Sequence, residues 1–154
     1  MDKNLLRIEF DKVLDMLSSE ASSEKAKEKI KSILPSQDVE EVKALLNETL
    51  SAFTLSMRFG MPSFGGILHV DTVLKKACSG ATLFNEEFLN ILSTLKSMRK
   101  LKQWKKFSED ETTYLDNKFE KISVNKYLEK KIESTVLSES EISDDASEEL
   151  ANIR

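Results

Sequence analysis

Cysteine is almost missing from this sequence: Cys78 is the only one in 154 residues. One thiol cannot close an internal disulfide, which fits a reducing compartment and casts Cys78 as a small core residue. Proline occurs twice and glycine four times, too few for the frequent tight turns of an all-β fold. Histidine occurs once, so a zinc site of the usual kind would need His69, Cys78 and carboxylates to converge. Long apolar runs are missing too. No stretch reaches the length of a membrane span, and Asp2, Glu9, Asp11 and Asp15 interrupt the first twenty residues where a secretion signal would be apolar. The expectation is a soluble, cytoplasmic protein with no membrane partner.

What is present favours helices. Hydrophobic residues make up 40% of the chain and charged ones 32%, with a net charge of -4. That supports one compact, all-α domain and argues against a generic nucleic-acid binder, though not against a local basic surface. Phe10, Val13, Leu14 and Leu17 share a helical face up to about Glu20. Ser22 or Ser23 can cap a second helix that Pro35 stops. Asp38 and Glu41 have the spacing of a capping box, and Val42, Leu45, Leu46, Thr49, Phe53 and Met57 follow at helical intervals to Gly60.

"GMPSFGGILHVD" holds three of the four glycines and reads as a structured loop, turned by Gly65 and Gly66 and pinned by Phe64 and Ile67. Asp71 then caps a short helix that Gly80 ends. Asn85, Glu86 and Glu87 open a long helix whose apolar residues Phe88, Leu92, Leu95, Met98, Leu101 and Trp104 settle into steps of three. Such a stripe winds around the helix, so its two ends must meet different neighbours. Ser108 and Glu111 suggest a capping box before Tyr114, Leu115 and Phe119, and Ser123 can start one more helix through Tyr127, Leu128 and Ile132. "ESTVLSESEISDDAS" then reads as a short β-hairpin or extended connector. At the C-terminus Ser147 is a good N-cap, Glu148 and Glu149 suit a first turn, and Leu150 with Ile153 begins an apolar stripe that nothing stops before Arg154.

Catalytic machinery is hard to find. His69 and Asp71 lack a G-x-S-x-G elbow to supply a serine, and adjacent acids such as Glu86-Glu87 suit helix starts. "FGGI" lacks the G-K-[ST] ending of a phosphate loop, so the chain alone is expected to bind no nucleotide, cofactor or metal and to have no catalytic residues. The one stretch with a possible ligand is basic: Lys96, Arg99, Lys100, Lys102, Lys105 and Lys106, with Trp104 among them. Such clusters attract phosphates. At 3.6 residues per turn, however, these six are distributed around the helix, and nearby acids such as Glu109, Asp110 and Glu111 can balance them.

Three stretches in order, "IEFDKVLDML", "PSFGGILHVD" and "EISDDASEELANIR", resemble the N-terminal region of the MutS-two branch of the bacterial MutS-like mismatch-repair ATPases, which carry a C-terminal Smr nuclease domain. Asp144, Ala146, Ser147, Leu150, Ile153 and Arg154 match the most specific pattern; Gly65, Gly66, Ile67 and Asp71 support it. Ser140 stands where the family usually has glycine and Glu148 where proline is common. The resemblance implies a multi-helix core or lever domain over residues 1–138, with a connector and the first turns of a clamp helix over 139–154 that continues beyond Arg154. It implies that the full protein binds ATP and Mg, dimerises through an ATPase domain beyond this chain, and binds branched DNA through the clamp or acts on stalled ribosomes. It also implies suppression of recombination and endonuclease activity in the whole protein, with none in this piece. The alternative is a self-contained helical adaptor that binds nucleic acid or an acidic protein through residues 96–106.

Overall fold

A computed structural model describes residues 3–108, 111–147 and 151. Eight helices and one two-stranded hairpin are present among these residues, so the chain is all-α as its composition predicts. Helix α1 (Lys3–Arg7) leads into α2 (Phe10–Ser19), which packs against α3 (Glu24–Lys31). Ser23 is the α3 cap: its Oγ accepts from the Ala26 amide at 3.2 Å. The α2 stripe is only partly used. Leu14 is buried, whereas Val13 and Leu17 are exposed.

Helix α4 (Val39–Phe59) starts where expected, because Asp38 Oδ1 accepts from the Glu40 and Glu41 amides at 2.9 and 3.3 Å. The reciprocal half of the capping box is replaced. Ser36 Oγ takes the Asp38 amide and itself donates to Glu41. The helical spacing read from Val42, Leu45, Leu46, Phe53 and Met57 is present in α4, but these five side chains are exposed, and the buried residue is Leu55 on the other face.

Helix α5 (Asp71–Cys78) is capped by the Val70 position, and Asp71 is its first residue. Asp71 points instead to Lys25 of α3 and ties the two helices. At the other end Gly80 adopts φ 77°, donating to Ala77 O while Ala81 donates to Lys76 O. These are the two bonds of a Schellman motif, which favours glycine at the left-handed position. Cys78 is exposed and is no core residue.

Helix α6 (Asn85–Lys105) is the axis of the fold. Phe84 occupies its cap position and Asn85 its first turn, with Glu87 Oε2 accepting from the Phe84 amide at 2.8 Å. Ile91 and Leu92 join Val73 of α5 and Ile132 of α8 (Lys126–Thr135) in the main core, with Val70, Leu83, Phe88 and Leu95 around them. The far end of α6 turns to other partners. Trp104 Nε1 donates to Gly60 O at 3.0 Å, and its ring lies 6.0 Å from that of Phe119. The winding stripe predicted this division.

A 3₁₀ turn (Lys106–Ser108) ends α6. Ser108 therefore opens no helix: its Oγ binds back to Lys105 O at 3.0 Å, and α7 is shorter than expected, Asp116–Glu120. Helix α8 is capped by Asn125, which accepts from the Leu128 amide at 3.0 Å, and not by Ser123. Its end passes into β1 (Val136–Ser138), paired antiparallel with β2 (Glu141–Ile142) with an irregularity between Val136 and Ser138. The hairpin expected near the C-terminus is thus present. Asp144 and Ala146 lie in a 3₁₀ turn, and Ser147 O accepts from the Ala151 amide at 3.0 Å, the bond that an N-cap carbonyl makes. Glu148, Glu149, Leu150, Ile153 and Arg154 lie outside the described residues.

Candidate functional site

The loop from Gly60 to Val70 is seated on a polar strip of α6. Small side chains there let the backbone approach closely: Ser93 Oγ donates to Gly66 O at 3.1 Å, and Thr94 Oγ1 accepts from the Leu68 amide at 3.1 Å. A side chain on Gly66 would overlap the Oγ of Ser97, which is buried. Gly65, by contrast, faces open space. The two adjacent glycines therefore differ in purpose: Gly66 is required by contact, not by an unusual turn, and Gly65 by neither.

Beside this loop is an open cleft of about 590 Å³, where α3 faces residues 65–71; its wall includes Lys25, Lys29, His69 and Asp71. Lys25 first, through its hydrogen bond and charge, and then His69 and Lys75 hold the Asp71 carboxyl below its ordinary range. Asp71 is thus engaged as an ion-pair partner for Lys25. Among the described residues no group of three or more His, Cys, Asp or Glu side chains is placed to hold a metal ion.

The basic run divides into two sets. Lys96 Nζ meets Glu133 at 2.6 Å, Arg99 Nε meets Glu129 at 2.9 Å, and Lys105 Nζ meets Asp116 at 2.8 Å. Lys102 Nζ donates to the carbonyl of Ile122 at 2.8 Å. These four reach across to α8, α7 and the segment between them. Lys100 and Lys106 remain exposed. The six residues do not form one surface.

The acids show the effect of this pairing. Lys105 and the hydroxyl and amide of Thr113 bring Asp116 down to about 2, and Lys96 lowers Glu133. Arg58 likewise lowers Glu111, which it grips through Nη1 at 2.7 and 2.6 Å, and so fastens the end of α4 to the segment after α6. Glu129 is the unusual member, because it is buried and its Oε1 has no hydrogen-bond partner among the described residues. Five of the six cations lie on α6 as the sequence suggests, with Lys106 in the 3₁₀ turn that follows; Glu129 and Glu133 were missed, because an α8 carboxylate 30 or 37 positions away carries no local signal.

A second surface was also missed. Phe53 of α4, Met61 and Phe64 of the loop, Trp104 of α6 and Phe119 of α7 converge on an open apolar groove of about 560 Å³. Lys118 reaches Glu48 at 2.7 Å and ties α7 to α4. Among the described residues, no helix is long and apolar enough to cross a membrane.

Comparison with known proteins gives the context of this arrangement. No family model matches the chain. The chain is similar over all of its length, at 34% identity, to a protein named Endonuclease MutS2 from Clostridium botulinum (strain Alaska E43 / Type E3). Proteins of the same name from Acetivibrio thermocellus and Clostridioides difficile match 99% of it at 35% and 31% identity. In each case the chain spans 20% of the relative's length. End to end and on an all-helical fold, this chain thus matches one fifth of several proteins named Endonuclease MutS2, as a fragment of a MutS2-type protein would.

Proposed function

We propose that this chain is the non-catalytic helical core near the N-terminus of a MutS2-type protein, linking a nucleic-acid clamp to an ATPase. Residues 1–138 form the core, and 139–154 the connector into a clamp helix. The observation that carries this reading is the end-to-end alignment with one fifth of proteins named endonuclease. On this reading ATP, Mg and the dimer contact belong to the other four fifths, as does cleavage. The whole protein then acts in the cytoplasm on branched or structured DNA, limits recombination, and acts on stalled ribosomes.

The ion pairs support a mechanical role. Segments far apart in sequence are tied to α6 or α4 by Lys96, Arg99, Lys102, Lys105, Arg58 and Lys118, so a displacement at one end of the bundle is shared with the other. In the whole protein, replacing Arg99 and Lys105 by Ala leaves ATP hydrolysis present but weakens the change in affinity for branched DNA that ATP produces. ATP hydrolysis above background by the isolated 154-residue chain would overturn the assignment of a non-catalytic core.

A further inference from the structure

Ion pairs fix how α6 and α8 lie together. Lys96 meets Glu133 and Arg99 meets Glu129, so residues of α8 are met in descending order and the two helices run antiparallel. The Arg99 pair is the inner one, with Glu129 buried, and the Lys96 pair the outer one, with Glu133 exposed. At 3.6 residues per turn, Lys100 lies about 40° farther outward than Lys96, and Lys126 and Lys130 lie about 20° and 60° farther outward than Glu133. By the same register Lys100 is level with residues 128 and 129, between the two α8 lysines. Three exposed cations from two helices thus share one side of the α6–α8 pair.

This side is not balanced by acids. In a chain of net charge -4, none of the three lysine side chains has an ion-pair or hydrogen-bond partner among the described residues, and Glu133 is taken by Lys96. The loop of residues 60–70, on the neighbouring face of α6 at Ser93, contains no Asp or Glu. The turn Asp144–Ala146 also packs on α8, yet no ion pair joins it to these lysines. Tyr127, 74% exposed, lies about 60° beyond Lys130 and about 40° short of Lys131, which is exposed as well.

We propose that this side of the core is a contact for the phosphodiester backbone of single-stranded nucleic acid, with Lys100, Lys126 and Lys130 on phosphates and Tyr127 stacked on a base. It goes beyond the linking role given above, which needs no nucleic-acid contact on the core, so either can fail alone. Charge complementarity selects the occupant. Lysines are point charges without a fork, suited to phosphates read without regard to sequence, and an exposed ring beside them is a platform for an unpaired base. A protein surface, another part of a longer chain included, would need an apolar patch to bury at its centre. None is offered here: Lys130 and Lys131 flank Tyr127 three and four positions on, and the exposed neighbour of Lys100 on α6 is Gln103.

Fluorescence anisotropy of labelled oligonucleotides with the 154-residue chain tests the proposal. The expected Kd for a single strand is on the order of 10 µM at low salt, with a slope of about -2 in log K against log salt for three phosphates. Changing Lys100, Lys126 and Lys130 together to Glu should weaken binding at least about tenfold and flatten that slope, with an unchanged circular dichroism spectrum because all three are exposed. The same charge change on α3, α4 and α5, Lys29→Glu with Lys43→Glu and Lys75→Glu, should leave most of the affinity. Tyr127→Ala should cost about tenfold for a single strand and Tyr127→Phe little. Single-stranded DNA and RNA are compared, and the tighter of the two names the source of the backbone. In the whole protein, acetylation of the three lysines should proceed until nucleic acid is added. No binding at hundreds of micromolar (about tenfold or more above the expected Kd), equal loss in the control variant, equal competition by polyglutamate, duplex preferred to single strand, or lysines shielded in the whole protein without nucleic acid would each overturn it.

Discussion

Replacing Gly66 by Ala should cost far more than the same change at Gly65, one position away. The added Cβ at Gly66 would overlap Ser97 Oγ and lie 3.2 Å from Ser93 Oγ and 3.5 Å from Ser93 O. Ser97 is buried and sits on α6, where the preceding helical turn restricts χ1, so its hydroxyl has little room to swing away. Either the loop lifts, stretching the 3.1 Å bonds from Ser93 and to Thr94, or the serine is forced off its rotamer. Overpacking of this kind costs about 1–3 kcal/mol. At Gly65 nothing lies within 4 Å of the added carbon and φ is not positive, so Ala there is neutral or slightly stabilising, by up to about 1 kcal/mol through the unfolded chain.

Urea unfolding followed by the single Trp104 reads both variants, since its indole bonds the first residue of this loop, Gly60. Gly66→Ala lowers the midpoint at unchanged slope, whereas Gly65→Ala does not. The decisive comparison adds Ser97→Ala, which removes the overlapping oxygen. The double variant then recovers most of the loss, and the coupling amounts to about 1–2 kcal/mol, well beyond the tolerance of independent sites. A Gly66→Ala protein as stable as the parent, or losses that simply add, would refute the close-approach account.

Three further outcomes follow from the charges on α6. Arg99→Met leaves Glu129 buried without its partner and destabilises by about 2–4 kcal/mol, while the double change with Glu129→Met costs less than Arg99→Met alone, as differential scanning calorimetry will register. Asp116 is lowered from 3.8 to about 2, so its contribution is complete above pH 4 and fades as pH falls toward 2. Allowing for its partial exposure this is about 1 kcal/mol. Asp116→Asn should therefore flatten the fall in stability between pH 4 and 2, seen as a smaller drop in Tm than the parent shows. Lys100→Glu with Lys106→Glu, at exposed sites, should shift stability by no more than about 0.5 kcal/mol, whereas Lys105→Ala should lower Tm by several degrees.

How far the sequence reveals the fold depends on the range of the interactions. Asp38 and Ser23 are legible as caps because each acts within three residues. Gly80 is legible because its left-handed turn is local too. Asn125 was missed in favour of Ser123 two positions earlier, since both residue types cap and only the core register of Ile132 decides between them. The same limit explains Ser108, whose hydroxyl bonds back to Lys105 O instead of opening a helix.

Periodicity carries a different ambiguity, which α4 and α6 show from opposite sides. A hydrophobic stripe says that a face seeks burial but not where its cover comes from. On α6 the cover is within the chain: α5 and α8 meet Ile91 and Leu92, while Gly60 and Phe119 meet Trp104. On α4 the equally regular stripe faces outward, so its cover is not found among the described residues. The basic run adds the electrostatic version of the same point. Six cations in eleven positions look like one surface in sequence, yet Lys96 and Arg99 answer carboxylates on α8, Lys102 a carbonyl before it, and Lys105 the start of α7. A local concentration of charge thus became a set of cross-links, because the acids that complete it arrive only when the chain folds back.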